Sequence, residues 1–216
     1  GDLICRRIVG MSKNKQLRKK ITENTQNNQN AFLARRGFAF IIDFIITNRL
    51  SLFVTGIVYG LMNNGNIQIL NGFEGIQPTQ IIVLLLSVLV THGFYFVFVP
   101  AKITGGSTMM QKVMQIKVVR ENGELATLKD FALRYFVGSV LCEGLFYDAF
   151  GVILSGIFFG IFMAEDISRI IYIVSAISSI LSLIMALMDK GKYRFFHDKI
   201  SKTIMKDEYV ASGKIL

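Results

Sequence analysis

Cysteine and proline are scarce in this 216-residue sequence, with two of each. Cys5 and Cys142 cannot build a disulfide framework, so a stapled secreted scaffold is excluded. Familiar catalytic signatures are missing as well. No H-E-x-x-H, C-x-x-C, P-loop, G-x-S-x-G or G-x-G-x-x-G occurs, and no nucleophile stands beside a base at a recognisable spacing. Neither an enzyme nor a cofactor is expected. Acidic residues are outnumbered, 15 against 24 Lys and Arg, which gives a net charge of +9 and a pI near 9.6. That balance raises the question of nucleic acid, but the basic residues flank apolar runs, as membrane topology requires, so no nucleic-acid partner is expected. The chain opens at Gly1 in a polar stretch with no short apolar core and no A-x-A site. A cleavable leader is therefore not expected, and Met11 is a candidate start.

What is abundant is apolar sequence. Hydrophobic residues make up 52% and mean hydropathy is +0.48. They are bunched into four runs, 37–62, 80–99, 136–163 and 170–188. Each is long enough as a helix, at about 1.5 Å per residue, to cross a ~30 Å hydrocarbon layer. The reading is an all-α polytopic membrane protein with four transmembrane helices, its main partner the lipid bilayer. Disorder and collagen-like repeats are excluded for the chain as a whole. Orientation follows from Lys and Arg, which number nine in 1–36, six in 101–135 and seven in 189–216. The two remaining loops carry Glu74, Glu165, Asp166 and only Arg169. Both termini are expected in the cytoplasm. Residues 1–30 read as a basic, disordered tail, 31–206 as the membrane domain and 207–216 as a second tail. Between spans 2 and 3, residues 101–135 read as a small cytoplasmic hairpin and helix. QIKVVR has strand composition, Glu121-Asn122-Gly123-Glu124 is a turn with an Asn-Gly pair, and Thr127-Leu128-Lys129-Asp130 looks like a capping box.

A charge inside hydrocarbon costs roughly 2.5–3.5 kcal/mol and needs a reason. Asp43, Arg49, His92, Glu143 and Asp148 all lie inside apolar runs. Counted by helix rise from the cytoplasmic ends, Asp43, His92 and Glu143 lie about 9–11 Å deep and could share a layer that handles protons or cations. Arg49 and Asp148 lie about 18 Å deep and could form an ion pair. Gly56–x3–Gly60 in the first run and Gly156–x3–Gly160 in the third are spaced for close helix packing, which would bring those two residues together. The alternative is structural: Asp43 pairing with Arg36, His92 bonded to a neighbouring helix, and Arg49–Asp148 holding the bundle. His197-Asp198 on a basic tail is too small a set for a metal site.

Three motifs occur in order with this topology. They are RRGFAFIID, with Arg35, Arg36 and Asp43; STMMQKVMQIKVVRENGELATLKDFALR in the cytoplasmic segment; and DKGKYRFFHDKISKTIM, with Asp189, Arg194, His197, Asp198 and Thr203. Together they resemble the RDD family of bacterial membrane proteins, over about residues 31–206. Met110 and Gln115 stand where the family pattern usually has glycines. The resemblance implies a multi-pass protein of the bacterial inner (cytoplasmic) membrane. Some relatives exchange monovalent cations for protons, so Na⁺, K⁺ and H⁺ are the candidate ions, and four spans imply a homo-oligomer. A different role stays open: an accessory, scaffold or immunity-type subunit that docks a larger membrane complex through its basic loop and tails.

Overall fold

The computed structural model describes residues 2–70, 72–162, 165–189 and 192–211. Side chains are described from residue 27 onward, except those of Asp148, Phe159, Glu165, Val210 and Ala211. The fold is mostly helical. Helix α1 spans Asp2–Met62 and includes TENTQNNQN, a stretch with neither Gly nor Pro to break the ladder. The chain divides into two compact units, Gly1–Phe38 and Ala39–Leu216.

Within the second unit, α2 (Pro78–Gly93) starts with proline at its first turn, where the missing N–H costs nothing. It continues as a wider helix, Phe94–Ile103, which holds Pro100. In these turns the N–H reaches five residues back, as Thr104 N does to Val99 O at 3.0 Å. After the five-residue helix α3 (Met109–Val113) come strand β1 (Ile116–Arg120) and helix α4 (Leu128–Ala132), which widens into Leu133–Cys142. A short 3₁₀ turn, Gly144–Phe146, precedes α5 (Asp148–Leu154) and its wider extension Ser155–Ile161. Helix α6 is Glu165–Met188, and the tail forms α7 (Phe196–Ile200), β2 (Thr203–Asp207) and α8 (Glu208–Ala211). The core gathers Val97, Val118, Phe131, Tyr135, Phe150 and Leu154.

Among the described residues three helical stretches are long and apolar enough to cross a membrane: Asn27–Met62, Pro78–Ile103 and Asp166–Met188. The third apolar run differs from expectation, because it is not one helix. It breaks at Glu143–Tyr147, where Tyr147 is extended at φ −128°, ψ 116°. The cause is local. Glu143 turns its carboxylate to partners on α6 and α7, and Gly144 leaves room that a side chain would take, since an added Cβ would stand 2.7 Å from Ser175 Oγ. The freed backbone finds replacements, with Leu145 N–H donating to Ser179 Oγ at 3.3 Å and Phe146 N–H to Glu143 O at 3.0 Å. Such repair is what makes irregular backbone tolerable away from water.

The expected hairpin is also changed. The Glu121–Glu124 turn forms, with Gly123 at φ +88°, but the return strand is a single bridge, Val119 to Leu125. Strand β1 pairs instead, antiparallel, with β2 from the tail, in the register Ile116–Asp207 to Arg120–Thr203. The short apolar content after Leu125 cannot sustain a strand, whereas TIMKD supplies five residues that run from buried Thr203 to exposed Lys206. The capping box forms as read: the Asp130 carboxylate accepts both Thr127 N–H and its hydroxyl at 2.8 Å.

Candidate functional site

Asp43, on α1, is 2% exposed and holds the start of segment 101–135. Its carboxylate accepts the Tyr95 hydroxyl, the Thr108 hydroxyl at 2.5 Å and Met110 N–H at 3.2 Å. Thr108 is itself the N-cap of α3, exchanging bonds with Gln111 at 3.0 and 3.3 Å. So one carboxylate joins α1, the widened end of α2 and the first turn of α3. Beyond it, Thr47, Ser51 and Thr55 are buried at four-residue steps on the same helix. Thr47 and Thr55 hydroxyls donate to Asp43 O and Ser51 O, at 2.5 and 2.8 Å.

His92, buried on α2, has Nδ1 2.6 Å from the Tyr135 hydroxyl. Tyr135 stacks on Phe96 at 4.7 Å and meets Tyr147 edge-on at 5.8 Å. These rings fill the space between the other two polar sites.

Glu143, 1% exposed, lies at the break in the third run. Its carboxylate accepts the Ser182 hydroxyl at 2.5 Å, His197 N–H at 3.1 Å and His197 Nδ1 at 2.6 Å. Ser182 also accepts Phe196 N–H at 2.8 Å, which ties α6 to α7. Next to it, buried Arg134 donates to Asp198 and, at 2.8 Å, to the Thr203 hydroxyl. Asp198 also caps its own helix, accepting Phe195 N–H at 3.0 Å. Helix α7 reaches this depth because residue 138 is glycine: an added Cβ there would stand 2.5 Å from His197 Cβ. Farther out, Arg194 bonds Asp189 at 2.7 Å and Glu121 at 2.5 Å. The Arg194 bond holds the Asp189 carboxyl below its ordinary range.

Asp43, His92 and Glu143 are thus all buried, but each has its own partners. Among the described residues no group of three or more His, Cys, Asp or Glu is placed to hold a metal ion. The shared layer divides into three networks because each polar side chain is claimed by the nearest donor on a neighbouring element. Arg35 and Arg36 fall in the first unit. Arg49 is exposed, and its expected partner Asp148 lies outside the described side chains. The glycine pairs do not face each other. Gly56 and Gly60 admit the backbone and side chain of Gln68 and Ile67, while Gly156 and Gly160 admit Leu85 and Ile81 of α2. Sequence reasoning missed Tyr95, Tyr135, Arg134 and Ser182, although Arg134 closes the motif Ser107–Arg134.

The model of the RDD family matches residues 30–202, most of the chain. The chain belongs to the RDD family. No curated protein and no solved structure matches it. The apolar helices and the family together make it a membrane protein. In this RDD protein the opening motif supplies Asp43, and the closing motif supplies His197, Asp198 and Thr203. These lie in two distinct buried networks. Gln115, where the family pattern usually has glycine, sits at φ +55°. The left-handed backbone is retained without the residue that favours it.

Proposed function

We propose that this RDD protein exchanges protons for a monovalent cation such as Na⁺ or K⁺ across a bacterial cell membrane. It crosses four times with both termini in the cytoplasm, acts as a homo-oligomer and is not an enzyme. One observation carries the reading. Two carboxylates, Asp43 and Glu143, are sealed inside the apolar body, and the partners that hold them are hydroxyls, backbone N–H groups and one histidine rather than Lys or Arg. A buried carboxylate without a fixed cation is neutralised by a proton or a small ion, and exchanging one for the other is coupled transport. The interruption beside Glu143 supports the reading, because broken helices commonly form ion sites in transporters. The β1–β2 pairing supports the topology. Two strands that pair belong on one side of a bilayer, which agrees with two crossings between segment 101–135 and the tail.

The test is flux in vesicles carrying the purified protein. A pH gradient should drive Na⁺ or K⁺ movement, and Asp43→Asn and Glu143→Gln should each abolish it. Wild-type rates in both variants would end the reading. A docking role has its own support. Met109, Val113, Leu125 and Leu128 are large apolar side chains exposed on the polar segment 101–135. Co-purification of one stoichiometric partner, with no flux from the isolated protein, would favour that role.

A further inference from the structure

Two of the three donors to Glu143 come from a single residue, His197, and that residue lies on a five-residue helix that enters from the tail. Without α7, the carboxylate would keep only the Ser182 hydroxyl. Below it, on the same face of α6, lie Ser179 and Ser175, both buried, one and two turns deeper. Ser179 already serves Leu145 N–H and Ser175 O. Among the described residues Ser175 Oγ is buried without a hydrogen-bond partner, and it points at Gly144 in the break. A carboxylate, a column of hydroxyls and an unwound backbone form the oxygen set that hard monovalent ions take.

Resting on the transport reading above, we propose that Glu143, Ser182 and the serine column form a monovalent-cation site, with His197 holding the ion's place. Helix α7 is the element that leaves when the ion binds. The geometry makes the two states exclusive. His197 N–H and Nδ1 occupy both carboxylate oxygens at 3.1 and 2.6 Å, so no cation reaches them while α7 is seated. Asp198, on α7 itself, stands 3.5 Å from His197 Nε2 and bonds Arg134, so the departing helix must also part that pair. Cys142 and Tyr147 flank Glu143 along the third run, and α6 offers it the Ser182 hydroxyl. Gly138 provides the flat seat into which α7 returns.

The experiment uses the full chain in nanodiscs, with two readouts independent of flux. Equilibrium binding of radioactive Na⁺ should be saturable, several-fold tighter in His197→Ala, and lost in Glu143→Gln. Hydrogen exchange of the α7 amides should rise several-fold when NaCl replaces an organic-cation chloride at equal ionic strength, and Glu143→Gln should lose that response. Unchanged α7 exchange with Na⁺ and K⁺, or native binding in Glu143→Gln, overturns the proposal. Flux without any α7 response would sink this inference alone. Ion binding with α7 release but no flux would sink the transport reading alone.

Discussion

Replacing Gly138 by alanine sets two effects against each other, and the structure decides which wins. In an open helix the change would stabilise by about 1 kcal/mol, because glycine is the poorer helix former. Here the new methyl would stand 2.5 Å from His197 Cβ. Ordinary contact begins near 3.5–4 Å, so α7 must retreat by about 1 Å or more. Overpacking of this kind costs roughly 1–3 kcal/mol. The retreat also stretches the 2.6 and 3.1 Å bonds to Glu143 past useful length, leaving a buried carboxylate short of donors at a further ~1–3 kcal/mol. The net is a loss of about 1–5 kcal/mol, which for a chain of this size lowers Tm by about 2–20 °C. Gly151→Ala is the control, since nothing lies within 4 Å of its added Cβ, and it should melt at or slightly above the native temperature. Thermal unfolding in detergent, with hydrogen exchange on α7, reads both. If Gly138→Ala melts with the control and keeps α7 protected, the close seating of α7 is wrong.

Gln115→Gly should stabilise, because the left-handed backbone at φ +55° costs a non-glycine residue about 1 kcal/mol; a Tm at or below native would refute the strain. Arg134→Ala leaves Asp198 buried without its partner and should cost about 3–5 kcal/mol. Pairing it with Asp198→Ala should cost less than the two single losses together, and simple additivity in that cycle would deny the pair. Burial alone would raise Asp130, but the Arg120 bond and two bonds from Thr127 outweigh it and hold the carboxyl below its ordinary range. A depressed carboxyl contributes stability above its unfolded value near 4 and loses it as pH falls through the lower folded value. Exchange at the start of α4 should therefore accelerate below about pH 4, and Asp130→Asn should remove that step.

The apolar runs, the Thr127 box and the strand QIKVVR were legible because each is set by residues close in sequence. The break at Glu143 was not. Run length and hydropathy count Glu143-Gly144 as two tolerable residues in a long apolar stretch, and only the approach of α7 turns them into an interruption. Likewise β1 could be read as a strand, but its partner lies beyond two apolar runs, and the Asn-Gly turn advertised a nearer one. Depth arithmetic put Asp43, His92 and Glu143 at one level correctly enough to mark all three as buried. It could not say which way each faces, because a helix carries rotation as well as height. Tyr95, Tyr135 and Ser182 gave no signal at all: hydroxyls among apolar residues are common, and their choice of partner is decided in three dimensions.

The suture between β1 and β2 has a bearing on biosynthesis. Residues 116–120 emerge from the ribosome long before 203–207, so the segment between the second and third apolar runs waits, one edge open, until those later residues follow. Glu143 likewise waits for His197. A nascent chain stopped at residue 195 would have every apolar run in place but neither edge nor carboxylate covered. Quality control that samples exposed edges would therefore distinguish copies that have made residues 196–207 from those that have not.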